Sequence, residues 1–181
     1  MNSNLNKPKQ IKRVHEKAVC DQLLRTLALS AKFDRMGNDQ GEPDVIYDLN
    51  NEHLGIEVCT AYYNDEIAKQ EWTLARGERQ FPIEGIEELG GGLLINPDDL
   101  IFSRVQSEIK DKCKSDYHGI DFARVWLVVE LRAALSDMKS VEKLAKTLEM
   151  PKKHKFDAIY LCYQSSIQDG SDYKVVQLYP Q

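Results

Sequence analysis

The segment RVWLVVEL, at positions 124–131, is the feature that most constrains the fold of this chain. It is a nearly continuous apolar run that contains several β-branched residues. A strand with one face in water would alternate apolar and polar positions, so an uninterrupted run is typical of a central strand covered on both faces. The sequence therefore predicts a sheet with helices packed against both of its sides.

The segments around this run predict the other elements. A helix is expected from Asn6 to about Ser30, and strands are expected at 31–36, 43–49, 54–61, 157–163 and 173–179. Further helices are expected at 65–79, from Asp98 or Asp99 to about Tyr117, and at 138–148. Surface turns or loops are expected at 90–92 and 168–170, where glycine is present. This order predicts an α/β fold with three layers and a mixed central sheet.

Composition narrows the class of protein. A chain of 181 residues is long enough for one buried core and short for two, so we expect a single domain over 1–181. No apolar run is long enough to cross a bilayer, and no signal core follows the polar start, which predicts no membrane partner and a cytoplasmic location. The four cysteines and four histidines are scattered, which argues against a zinc site or a disulfide framework.

The net charge of −5 gives no general attraction to nucleic acid. Any such contact would have to use local basic patches, and two stretches of the chain are rich in lysine. They contain Lys7, Lys9, Lys12, Arg13 and Lys17, and Lys139, Lys143, Lys146, Lys152, Lys153 and Lys155. Each stretch is also compatible with an ordinary solvated helix face.

Two carboxylates on the predicted hairpin are the candidate site. Side chains alternate along a strand, so pairing of 43–49 with 54–61 would make Asp44 and Glu57 near neighbours. Two such carboxylates in a partly buried place repel each other unless a cation neutralises them. Mg²⁺ prefers oxygen ligands and keeps several waters, so Asp44, Glu57 and the backbone carbonyl of Val58 could hold it while a bound water attacks a phosphodiester.

With Pro43-Asp44 followed thirteen residues later by Glu57-Val58-Cys59, the chain resembles the PD-(D/E)XK nuclease superfamily. The leading helix and the order of strands are also similar, over roughly 10–131, with the helix and two strands of 137–180 following. The resemblance implies a restriction-endonuclease-like core and a metal-dependent nuclease, with Mg²⁺ or Mn²⁺ as cofactor and DNA more than RNA as partner. It further implies a nearby acidic residue on the first helix, for which Glu16 is the candidate.

The chain departs from the family pattern at one important position. Cys59 stands where the family usually has a lysine, and a thiol cannot supply that positive charge. Some members of the superfamily supply the charge from a neighbouring helix, so we expect Lys110 to take this role, with Lys69 as the second choice. Tyr62 and Tyr63, just past Glu57, are expected to line a cleft.

Other functions remain open from the sequence. A silent domain of the same fold that binds nucleic acid or a protein would lack any lysine compensating for Cys59. An unrelated α/β protein would hold Asp44 and Glu57 apart or point them into water, and Glu57 could then face solvent on an edge strand. A homodimer would suit an enzyme that cuts both strands of a duplex, because two-fold symmetry places one site on each strand.

Overall fold

The computed structural model describes residues 7–38, 41–62, 65–77, 97–115, 122–132, 138–164 and 173–180. Its helices are α1 (Lys7–Thr26), α2 (Asp65–Ala75), α3 (Pro97–Lys112) and α4 (Met138–Thr147). Its strands are β1 (Lys32–Met36), β2 (Val45–Leu49), β3 (Glu52–Tyr62), β4 (Arg124–Arg132), β5 (Ala158–Gln164) and β6 (Tyr173–Tyr179). The six strands form one sheet in the order β1-β2-β3-β4-β5-β6.

The sheet is mixed, and β4 lies inside it. The strands β3, β4 and β5 run parallel, whereas β1-β2, β2-β3 and β5-β6 are antiparallel pairs. Every residue of β4 from Val125 to Leu131 is buried. The prediction of a central strand covered on both faces is confirmed.

Helices cover both faces of this sheet. On one face, α1 buries Val19, Cys20 and Leu23 against side chains such as Tyr47 and Val128. On the other face, α3 and α4 bury residues that include Ile101, Val105, Ile109, Val141 and Leu144. The arrangement is the predicted three-layer α/β fold. Within the described ranges, no helix has both the length and the apolar character that crossing a membrane requires.

A two-residue turn fixes the register between β2 and β3. Asn50 and Asn51 both have positive φ, at 58° and 64°, and they connect the paired residues Leu49 and Glu52. Positive φ at both positions is the geometry of the type I′ hairpin turn, which asparagine tolerates better than most residues. The hairpin prediction is confirmed, but the turn is shorter than the expected four-residue link because Glu52 and His53 already belong to β3.

The helix α1 ends earlier than the sequence suggested, at Thr26 rather than near Ser30. The N–H of Leu29 donates to the carbonyl of Leu24, and the N–H of Ala28 donates to the carbonyl of Arg25. These two bonds form a Schellman motif, which requires a left-handed residue at its turn. Ala28 takes that conformation, with φ at 53°. The sequence contains no indication that α1 ends at Thr26, because alanine is a strong helix former and Ala28 fits the apolar spacing of the helix.

Other helix ends also shifted by a few residues. The helix α2 ends at Ala75, and α3 begins at Pro97 and ends at Lys112, where Lys114 and Ser115 continue as a turn. Proline suits a first helical position because its missing N–H has no partner there. The expected loops at 90–92 and 168–170, together with Tyr117, lie outside the described residues.

Replacing Ala28 by glycine should stabilise the protein. Removing the side chain relieves a left-handed strain of roughly 1–2 kcal/mol at the cost of extra unfolded-state entropy, for a net gain of about 0.5–1 kcal/mol. Urea unfolding measures this change. The same substitution at Ala18, an exposed position inside α1, is the control and should cost about 1 kcal/mol. Equal losses from both substitutions would contradict the strain at Ala28.

Candidate active site

The hairpin brings Asp44 and Glu57 to the same place. Val45 pairs with Ile56, so Asp44 lies opposite Glu57 one step beyond the last backbone pair of β2 and β3. The Oδ2 of Asp44 accepts a hydrogen bond from the N–H of Val58 at 2.9 Å. The carboxylate thus accepts a hydrogen bond from the backbone of β3 at a point beyond the last backbone pair of β2 and β3. The alternative that these two acids are far apart is wrong.

Two glycines allow the backbone around Asp44 to pack closely. The N–H of Gly37 donates to the carbonyl of Asp44 at 2.9 Å, and a Cβ on Gly37 would lie 1.8 Å from the carbonyl oxygen of Pro43. A Cβ on Gly55 would lie 2.6 Å from Cγ of Pro43. No side chain fits at either position unless Pro43 moves, so the two glycines fix the approach of Pro43-Asp44 to the sheet.

Glu57 is buried inside the sheet, with 7% of its surface exposed. The expectation that it could face solvent on an edge strand is wrong, because β3 pairs with β2 on one side and β4 on the other. Its neighbour Cys59 is also buried and belongs to the core under α3. Burial raises the pKa of the Cys59 thiol, which is therefore a packing residue at neutral pH.

The amine beside Glu57 belongs to Lys112. Its Nζ lies 2.6 Å from Oε1 of Glu57. Lys110, the expected partner, is exposed on another side of α3, and Lys69, the second choice, is exposed on α2. Helix phase explains the difference, because Lys112 follows the buried Ile109 by three residues and so shares its side of the helix. That spacing was present in the sequence and would have identified Lys112.

Glu16 supplies a third carboxylate from α1. Only 5% of its surface is exposed, and Nζ of Lys12, one turn earlier, lies 3.1 Å from its Oε1. Its side chain also interacts with that of Asp44. The structure thus brings together Glu16, Asp44 and Glu57, the three acids that the sequence pointed to. We call these three residues with Lys12 and Lys112 the carboxylate cluster.

Crowding of the acids changes their proton affinity. Burial and the nearby Asp44 raise the pKa of Glu16 to about 7, although Lys12 opposes the shift. Burial and Asp44 also raise the pKa of Glu57, against the opposing effect of Lys112. Burial disfavours the charge on Lys112, but Glu57 and Asp44 outweigh it and the pKa of Lys112 is raised. The cluster is short of positive charge, as expected for three carboxylates facing two amines.

The cluster opens into a pocket of about 440 Å³. Glu16, Asp44 and Glu57 line it, and basic side chains of α1 line it as well. They are Lys9, Lys12 and Arg13. Arg13 also donates to the carbonyl of Gly37 at 3.2 Å. Tyr62 lines a different pocket, and Tyr63 lies outside the described residues.

The donor set of the pocket suits a hard divalent cation. Mg²⁺ takes oxygen ligands, commonly one or two carboxylates completed by waters and substrate oxygens. The Oε1 of Glu16 already faces the amine of Lys12, so Asp44 and Glu57 are the carboxylates better placed to bind a cation. In the described part of the chain, no group of three or more aspartate, glutamate, histidine or cysteine side chains is arranged so that it could hold a metal ion. A cation here would be held by Asp44, Glu57 and the carbonyl of Val58, with waters.

The raised pKa of Glu16 predicts a specific pH dependence of stability. Between its ordinary value of 4.5 and about 7, the folded protein keeps a proton that the unfolded chain has lost. The free energy of unfolding should therefore fall as pH rises through this window. In Glu16→Gln this part of the decline should disappear. The free energy of unfolding of the variant should therefore rise relative to that of the wild type up to about pH 7, and the difference should remain constant above that pH.

Urea unfolding in EDTA across this pH range measures the effect, with Glu52→Gln, an exposed carboxyl on β3, as the control. A wild-type curve parallel to that of Glu16→Gln would contradict the raised pKa.

No family model matches this chain. Among curated proteins and solved structures, the searches likewise found no match. The chemistry of the carboxylate cluster is therefore the basis for assigning a function.

Proposed function

We propose that this protein is a metal-dependent nuclease of the PD-(D/E)XK type, which hydrolyses phosphodiester bonds in nucleic acid, DNA more than RNA. The observation that carries the proposal is the ion pair between Lys112 and Glu57, at 2.6 Å and beside Asp44. An amine held against the buried Glu57 is costly to build for stability alone, because a buried charge must be desolvated. It is a common arrangement where a reaction develops negative charge.

In this proposal Asp44 and Glu57 hold Mg²⁺, or Mn²⁺, together with the carbonyl of Val58. When bound, the cation would polarise the phosphate and lower the pKa of a coordinated water. Lys112 would stabilise the negative charge that develops on the phosphate. Glu16, which keeps its proton to about pH 7 in the metal-free protein, would orient or deprotonate the attacking water once a cation lowers its pKa.

Lys112 also accounts for the unusual Cys59. A lysine at position 59 would have to be accommodated in the hydrophobic core under α3, where the thiol of Cys59 packs instead. Lys112 brings an amine to Glu57 from α3, the helix that covers this face of the sheet. This favours an active enzyme over the silent binding domain, which would need no compensating lysine.

The basic side chains of the pocket support a polyanionic substrate. Lys9, Lys12 and Arg13 lie on the first turns of α1, next to the acids. Arginine and lysine contact the phosphates of nucleic acid and set its position without reading its sequence. A homodimer would place one such pocket on each strand of a duplex, and light scattering would test for it.

Cleavage assays test this function directly. With Mg²⁺ or Mn²⁺ and labelled single- and double-stranded DNA and RNA, we expect metal-dependent cutting that Asp44→Asn and Glu57→Gln abolish. Lys112→Met should lower the rate by about a hundredfold or more, the usual effect of removing one charge-stabilising donor. Lys110→Met, which changes an exposed lysine of the same helix, should leave the rate unchanged.

Calorimetry with Mg²⁺ or Mn²⁺ adds a second measurement that does not depend on the substrate. Binding should be seen in the wild type and lost in Asp44→Asn. No cutting of any substrate together with no metal binding would overturn the proposal. Equal losses of activity from Lys110→Met and Lys112→Met would remove the role given to Lys112.

A further inference from the structure

Another buried carboxylate, Glu130, lies on the central strand β4 and outside the carboxylate cluster. Only 5% of its surface is exposed. Its Oε2 lies 2.8 Å from Nε2 of His15 on α1, and its Oε1 lies 2.9 Å from both Nε and Nη2 of Arg132. The hydroxyl of Thr60 lies 3.4 Å from Oε2. Glu130 therefore holds a histidine and an arginine in fixed positions near the end of β4.

Two pockets meet at these held side chains. The first, which we call the polar pocket, has a volume of about 170 Å³, and Gln22, Glu130 and Tyr173 are among the residues that line it. The second, the aromatic pocket, has about 190 Å³ and contains Tyr62 and Trp72. His15 and Arg132 line both of them. The ring of Trp72 meets that of His15 edge to face, with centroids 5.9 Å apart.

These pockets are distinct from the pocket of the carboxylate cluster. Helix α1 contributes Lys9, Lys12, Arg13 and Glu16 to the latter. It contributes Ile11, His15, Ala18 and Gln22 to the polar and aromatic pockets. Each set follows helical spacing, and the two sets lie on different sides of the helix. One helix therefore separates two recesses with different chemistry.

The charge balance of the polar pocket defines its ligand. Arg132 neutralises Glu130, so the pocket has no excess charge to attract an anion or a cation. It is nevertheless rich in donors and acceptors, including the amide of Gln22. The hydroxyl of Tyr173 is buried and hydrogen-bonded to the thiol of Cys162, so Gln22 and Arg132 are the side chains that offer polar groups to a ligand. A small, flat, neutral ligand with a hydrogen-bonding edge fits these properties.

We propose that the polar pocket binds an unpaired nucleobase, with Tyr62 and Trp72 contacting the adjoining part of the strand. Unstacked bases are recognised by hydrogen bonds to their edges and by stacking on aromatic side chains. A purely structural role for Glu130 would explain the contact to His15, which ties α1 to the sheet. It would not explain a polar recess that is also lined by the amide of Gln22, or an aromatic pocket beside it that shares His15 and Arg132.

The proposal extends the proposed nuclease function and rests on it, because the base is expected to belong to the nucleic-acid substrate. It identifies the substrate as single-stranded or locally unpaired nucleic acid. Base binding and cleavage use different side chains, so each can be measured without the other. Free nucleosides offer the same chemistry from another source, and the experiment includes them for that reason.

The test measures the anisotropy of short labelled single strands, in EDTA and in a Glu57→Gln background so that nothing is cut. We expect Arg132→Met to weaken binding by about tenfold, as for loss of a charged hydrogen bond, and Gln22→Leu, which removes the amide of the polar pocket, by about threefold. Arg124→Met is the matched control, because Arg124 is a similarly exposed arginine at the other end of β4. It should have little effect.

Strands with abasic sites should bind as weakly to the wild type as complete strands bind to Arg132→Met. Competition by free nucleosides, lost in Gln22→Leu, would also place a base in this pocket. Equal losses from Arg124→Met and Arg132→Met together with no loss in Gln22→Leu, or abasic strands that bind as tightly as complete ones, would overturn the proposal. Cleavage without these binding effects would support the nuclease function and contradict the base-binding pocket. Base binding without cleavage would support the pocket and contradict the nuclease function.

Discussion

The burial of the Glu57 carboxylate is the constraint around which the candidate site is built. A charge inside a sheet costs on the order of several kcal/mol unless its neighbours compensate for it. Lys112 provides part of the compensation, but Asp44 and Glu16 add two more acids to the same place. The fold thus collects negative charge where burial makes it expensive. This crowding of acids is the physical basis of the proposed cation site, because a bound cation would offset their repulsion.

The sequence was sufficient for the part of this site that depends on strand geometry. Alternation along two strands and a short polar turn determine which residues face each other, so Asp44 and Glu57 could be paired without coordinates. The central strand β4 was equally predictable, because its apolar run admits few other interpretations. In both cases a local sequence pattern determines how the strands pair, and backbone hydrogen bonds between the strands then determine which residues are adjacent.

Side chains that approach from helices were harder to assign. Successive residues of a helix are rotated by about 100°, so a small error in the helical phase changes which lysine is expected to face Glu57. The apolar Ile109, three residues before Lys112, could have been used to determine that phase. The left-handed end of α1 at Ala28 follows from a motif that normally uses glycine. The contact of Glu130 with His15 was not predicted, because α1 lies far from β4 along the chain, although a glutamate inside an apolar strand was itself a sign of a special environment.

Helix α1 links the two recesses through adjacent residues. His15 contacts the buried Glu130, and the next residue, Glu16, reaches the neighbourhood of Asp44. Both contacts are made within a single turn, against carboxylates fixed on different parts of the same sheet. A shift of α1 that improved one contact would disturb the other, so the pair of contacts defines the depth and rotation of the helix. Rigid support of this kind is what a site needs when its charges must be placed before a substrate arrives.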